Sequence, residues 1–99
     1  MDKQFKVLII DSKDNVATAL EDIEKNGLIL LEDDKNGLKI RAIHNIKFGH
    51  KVAIININEG EQILKYGEAI GIANRSIKIG EHVHINNVES QRARGDLGN

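Results

Sequence analysis

The chain has 99 residues, 14 basic and 15 acidic side chains, and no cysteine, proline or tryptophan. That length supports one domain, and a net charge of −1 with the signs intermixed argues against the basic stripe a nucleic-acid surface needs. The absence of cysteine removes disulfides, thiolate metal sites and cysteine nucleophiles, and no apolar run approaches membrane-spanning length. The expected setting is the cytoplasm, with neither nucleic acid nor membrane as partner. Aromatics make up only 3% of the chain, so the core must be aliphatic and thin. A thin core and exposed strand edges favour a partner chain or a homo-oligomer.

Taken in order, Phe5 to Ile10 form a first apolar strand, and Asp11-Ser12-Lys13-Asp14 a turn able to cap a helix. Val16, Leu20 and Ile23 fall at i, i+4 and i+7, which predicts an amphipathic helix closed by Asn26-Gly27. Leu28 to Leu31 and Leu38 to Ala42 are expected to pair as a hairpin across an acidic turn ending in Asn36-Gly37.

A repeat follows. Ile46-Lys47-Phe48-Gly49, Ile57-Asn58-Glu59-Gly60 and Ile77-Lys78-Ile79-Gly80 each lead into a short apolar run. Asn45, Asn56 and Ser76 precede them. The isoleucine would anchor a turn in the core and the glycine would supply a positive φ. Short strands turning this often predict a compact, mainly β domain with one short N-terminal helix.

The chemistry-bearing stretch runs from Gly80 to Asn87. On a strand, His82, His84 and Asn86 share one face while Val83 and Ile85 share the other. Two imidazoles so spaced can hold a metal ion or an anion. The polar outer face of an ordinary half-buried strand has the same pattern, so spacing alone leaves both readings open.

Several blocks together carry more weight. They are Gly49-His50-Lys51-Val52-Ala53, Glu59-Gly60-Glu61, Leu64-Lys65-Tyr66-Gly67-Glu68, Ile70-Gly71, and Gly80-Glu81-His82-Val83-His84 with Asn87. Their order and spacing resemble the SAF domain of the altronate/galactarate dehydratase family, over about residues 14–90. The resemblance implies a β-clip, SAF-like fold over residues 1–90, and the polar, glycine-bearing stretch 91–99 is expected to be a flexible tail. It also implies a hydro-lyase that removes water from a sugar acid to give a 2-keto-3-deoxy acid. A chain of this length resembles the small subunit of the split form, inactive without a large dehydratase subunit.

On that resemblance, His82 and His84 are the expected ligands of a divalent metal, Fe2+ or Mn2+, shared with the large subunit. His50, Lys65 and Tyr66 are the expected catalytic groups, Lys65 meeting a carboxylate as a point charge. Asn86 and Asn87 are expected substrate contacts, although an asparagine side chain also holds turns. Asn86 stands where the family usually has another histidine, and an amide is the poorer metal ligand. His44 falls outside the motif and is expected at the surface. The alternatives are the small subunit of a sulfolactate sulfo-lyase and a non-catalytic SAF module that binds carbohydrate or protein.

Overall fold

A computed structural model describes residues 3–31 and 39–90. The expected acidic turn and the 91–99 tail lie outside these residues. Nine short strands follow in chain order: β1 (Gln4–Leu8), β2 (Val16–Ala19), β3 (Leu28–Leu30), β4 (Lys39–Arg41), β5 (Lys51–Ala53), β6 (Gln62–Lys65), β7 (Glu68–Ala73), β8 (His82–Val83) and β9 (Val88–Glu89). Six form a sheet in the order β4-β3-β1-β2-β5-β8, and three form a second in the order β6-β7-β9. The β1–β3 pair is parallel, and β3 pairs antiparallel with β4 as the hairpin reading expected.

The mainly β class holds, but no helix occurs among the described residues. The segment expected to be helical is β2, paired antiparallel with β1 on one side and β5 on the other. The helical spacing of Val16, Leu20 and Ile23 is coincidental: Val16 and Ile23 enter different core clusters and Leu20 is exposed. Val16, Ala17 and Ala19 are all buried because β2 is covered on both faces, which erases the alternation of a half-exposed strand.

The repeat is real and has a fourth copy. Ile23 pairs with Ile46, and Ile57 with Ile77, each as an isolated antiparallel bridge. Both backbone hydrogen bonds of each pair are made, at 2.7–2.8 Å. Three residues after each isoleucine the chain takes a positive φ: Asn26 at 72°, Gly49 at 83°, Gly60 at 89° and Gly80 at 88°. These are the third positions of type II turns, closed by N–H groups of Gly27, His50, Glu61 and Glu81. Asn26, expected to end a helix, instead stands in for the glycine of the first copy.

The residues preceding the isoleucines tie the turns together in pairs. Asn45 Oδ1 accepts from Lys25 N at 2.7 Å, and Asp22 Oδ1 from Phe48 N at 2.8 Å. Asn56 Oδ1 likewise accepts from Ile79 N at 2.8 Å. Three of the four turns are therefore held by the one their isoleucine faces.

The four turns differ in what surrounds them. A Cβ at Gly80 would lie 2.2 Å from the Arg41 carbonyl oxygen, whereas one at Gly60 would meet nothing within 4 Å. Gly60→Ala should therefore cost only the strain of its φ, about 1 kcal/mol. Gly80→Ala should cost at least about twice that, because the β4 backbone must move as well. Urea unfolding of the two variants checks the order.

Candidate functional site

The site begins with a register. β5 and β8 pair antiparallel, Lys51 opposite Val83 and Val52 opposite His82. Continuing that register sets His50 opposite His84, and the side chains of His50, His82 and His84 gather on one face. His50 leaves the second turn and His82 follows the fourth, so the two turns deliver them together. His50 Nδ1 lies 2.9 Å from His82 Nε2. The three rings are nearly parallel, with centroids 4.7–5.2 Å apart. One ligand nitrogen from each lies within 4.8 Å of the others.

Burial, together with His50, His84, His44 and Lys51, lowers the pKa of His82 from its ordinary value. These surroundings favour the neutral form of His82. A 2.9 Å contact between two ring nitrogens needs one of them as acceptor. His44, expected at the surface, is exposed, yet its Nδ1 accepts from the His82 amide at 3.4 Å.

The expected strand alternation stops at His84. Residues 84–87 form a turn in which Ile85 is 82% exposed and Asn86 is also exposed. Asn87 is fully buried and uses its whole side-chain amide. Its Oδ1 accepts from His84 N at 2.9 Å, and its Nδ2 donates to His82 O at 2.8 Å and to Glu81 Oε2 at 3.2 Å. Glu81 also accepts from Arg75 at 3.1 Å and from Lys78 N at 3.1 Å. This buried network fixes the backbone on both sides of Val83, and with it the directions of the two imidazoles. Sequence reading left Asn87 open between holding a turn and touching substrate, because the two look alike in sequence, and it gave Glu81 no role.

Lys65 and Tyr66 sit on the β6–β7 hairpin. Tyr66 and Gly67 both have positive φ, at 56° and 75°, the signature of a type I′ turn. A tyrosine there is strained, and the buried Asp14 carboxylate supports it. Asp14 Oδ2 accepts from Tyr66 N at 3.0 Å and Oδ1 from Gly67 N at 2.8 Å. The Lys65 ammonium lies 4.8 Å from the centre of the Tyr66 ring, over its face. The three histidines thus form one group, while Lys65 and Tyr66 belong to a separate hairpin.

Lys51, within the Gly-His-Lys block but absent from the expected site, lines an open hollow of about 280 Å³ with His84, Ile85 and Ile70. Burial and then repulsion from Lys65 hold its ammonium below the ordinary lysine pKa.

Comparison with known proteins decides the family. The altronate/galactarate dehydratase SAF domain model matches residues 5–91. The chain belongs to this family. It is 41% identical over 81 residues to altronate dehydratase of Bacillus subtilis, covering 82% of this chain and 16% of that protein. It is 38% identical over 79 residues to galactarate dehydratase (L-threo-forming) of Escherichia coli, covering 80% of this chain and 14% of that protein. It is 33% identical over 88 residues to (2R)-sulfolactate sulfo-lyase subunit alpha of Chromohalobacter salexigens, covering 86% of this chain and 94% of that subunit. This SAF domain therefore corresponds to a small part of the two dehydratases and to nearly all of the sulfo-lyase subunit.

Two pH effects follow. Burial opposes the Asp14 charge, but hydrogen bonds from Gly67, Tyr66, Asp11 and Ile10 outweigh it and hold the carboxyl below its ordinary value of 3.8. The stability Asp14 contributes is fully present above that value and is lost as pH falls through the lower folded-state pKa. Asp14→Asn should flatten the acid limb of the stability curve, read by urea unfolding between about pH 2 and 5. For His82, a folded-state pKa lowered from 6.5 means stability is lost as pH falls below that value. In a histidine C2–H NMR titration, His82 should titrate below 6.5, and His50→Ala or His84→Ala should move it upward.

Proposed function

We propose that this SAF domain is the small subunit of a two-subunit hydro-lyase of the altronate dehydratase type. It would contribute its imidazole face to a site completed by a large catalytic subunit, and the substrate would be an aldonic or aldaric acid. The observation that carries this is the convergence of His50, His82 and His84 on one accessible face of a domain whose relatives are lyases.

The elimination needs a base for the proton beside the carboxylate, positive charge for the resulting enediolate, and an acid for the departing hydroxyl. Imidazole suits both proton tasks near neutrality. His82, whose neutral form burial and its neighbours favour, is ready to accept a proton or to act as a ligand. Lys65 and Tyr66, both on a hairpin held by Asp14, would add positive charge and a hydrogen-bond donor near the substrate.

The donor set also fits a divalent ion. Two imidazole nitrogens in neighbouring positions on one ion, each at about 2.1 Å, stand about 3 Å apart, close to the 2.9 Å between His50 and His82. The third nitrogen, within 4.8 Å of both, comes into range by side-chain rotation. His82 and His84 would hold Fe2+ or Mn2+, with His50 in reach as a third ligand and the remaining positions left to the large subunit and substrate. Such an ion would stabilise the enediolate as a Lewis acid.

A second reading is the small subunit of a sulfolactate sulfo-lyase, favoured by the 94% coverage of that alpha subunit. The first proton abstraction is the same, but sulfite leaves in place of hydroxide. Turnover of a sugar-acid panel against sulfolactate separates the two.

The test is His50→Ala, His82→Ala and His84→Ala in the reconstituted pair. Each should lower kcat by about a hundredfold or more, and bound metal should fall for His82 and His84. Unchanged turnover and metal content in all three would remove the triad from the reaction.

A further inference from the structure

The hollow beside His84 raises a question of charge. Lys51 lies on a rung that crosses four strands: Leu8 on β1 pairs with Thr18 on β2, Thr18 with Lys51 on β5, and Lys51 with Val83 on β8. The outer members of the rung are apolar, and Val83 is sealed in the second core cluster. The inner members are polar. Among the described residues, the half-buried Lys51 forms no ion pair or side-chain hydrogen bond. Its neighbour Thr18 has a buried hydroxyl with no hydrogen-bond partner.

Thr18 does not line the hollow, so the Lys51 ammonium is the donor a ligand there would meet, and a half-buried charge without a counter-charge is costly. A carboxylate supplies what is missing, because it is anionic and accepts several hydrogen bonds. The side chains around the hollow match a small hydroxy acid. Lys51 and His84 bring polar groups to it, Ile70, Ile85 and Val88 form an apolar wall, and Glu89 and Ser90 also line the hollow. Lys65, expected from sequence to meet the carboxylate, is already placed over the Tyr66 ring.

We propose that Lys51 binds the anionic end of the substrate, a carboxylate or sulfonate, in the hollow it shares with His84. His84 then borders both this subsite and the imidazole group. A substrate anchored at Lys51 presents the carbon beside its acid group toward that edge. The proposal rests on the lyase reading for the identity of the ligand, but its test does not.

The test uses the 99-residue chain in an amide NMR titration with three probes at matched ionic strength: sodium gluconate, sodium isethionate and uncharged sorbitol. Gluconate, isethionate or both should shift the amides of Lys51, His84, Ile85 and Val88, and sorbitol should not. The ratio of the two anions reports which acid group the subsite prefers. Lys51→Met, which keeps the stem and removes the charge, should weaken binding at least tenfold, and Lys51→Arg should retain most of it. Ile85→Glu changes a side chain exposed in the turn, so the fold tolerates it, and it should weaken anion binding through repulsion at the rim.

Shifts equal for sorbitol and the anions, shifts centred elsewhere, or unchanged affinity in both Lys51→Met and Ile85→Glu would overturn the subsite. Failure of the lyase reading is a separate result. It would appear as a reconstituted pair that turns over no hydroxy acid, while Lys51-dependent anion binding persists in the isolated chain.

Discussion

The register between β5 and β8 is the constraint on which the site depends. Val52 opposite His82 is an ordinary antiparallel pair, but the strands carrying it are 30 residues apart in sequence, and each leaves a type II turn. A slip by one residue would turn the histidines onto the opposite face and drive Val83 out of its core cluster. The slip is resisted from both ends. Gly80 closes against the Arg41 carbonyl, and Asn87 bonds the backbone of His82 and His84. The positions that look purely structural are therefore the ones that aim the imidazoles.

Much of this was legible in the sequence. The Ile-x-x-Gly units at 46, 57 and 77 are turns as expected, because the isoleucine anchor and the positive φ leave their own marks on the sequence. The fourth unit was hidden twice over. Asn26 replaces the glycine, and Ile23 completes an apparent helical period with Val16 and Leu20. A strand buried on both faces shows no alternation, so β2 offered nothing to contradict that period. The β3–β4 hairpin was readable from its turn chemistry, whereas the pairing of β2 with β5 is a long-range choice that local pattern does not carry.

The site divides along the same line. His82 and His84 could be paired from spacing alone. The third imidazole could not, since His50 lies more than 30 residues earlier and meets them only through the register. Asn86 and Asn87 are adjacent in sequence and opposite in environment, one exposed and one fully buried, because the strand ends two residues sooner than its apolar pattern continues. Ile85 extends that pattern in sequence but sits in the turn, 82% exposed. Hydrophobic alternation locates a strand without fixing where it stops.

That exposure bears on how the domain would work within a lyase. General base catalysis and charge stabilisation gain strength when water is excluded, yet the histidine group and the Lys51 hollow are both open on this domain. Ile85 at the rim and Phe48, two residues ahead of His50 and 67% exposed, are apolar side chains that would gain from being covered. The dehydratase relatives are six to seven times longer than the matched region, which occupies 16% and 14% of them. Under the proposed reading, the surface that closes over Ile85 and Phe48 also dries the imidazoles. Assembly and activation would then be one event, in which apolar burial beside the site supplies the low-dielectric surroundings that its charged and proton-carrying groups need.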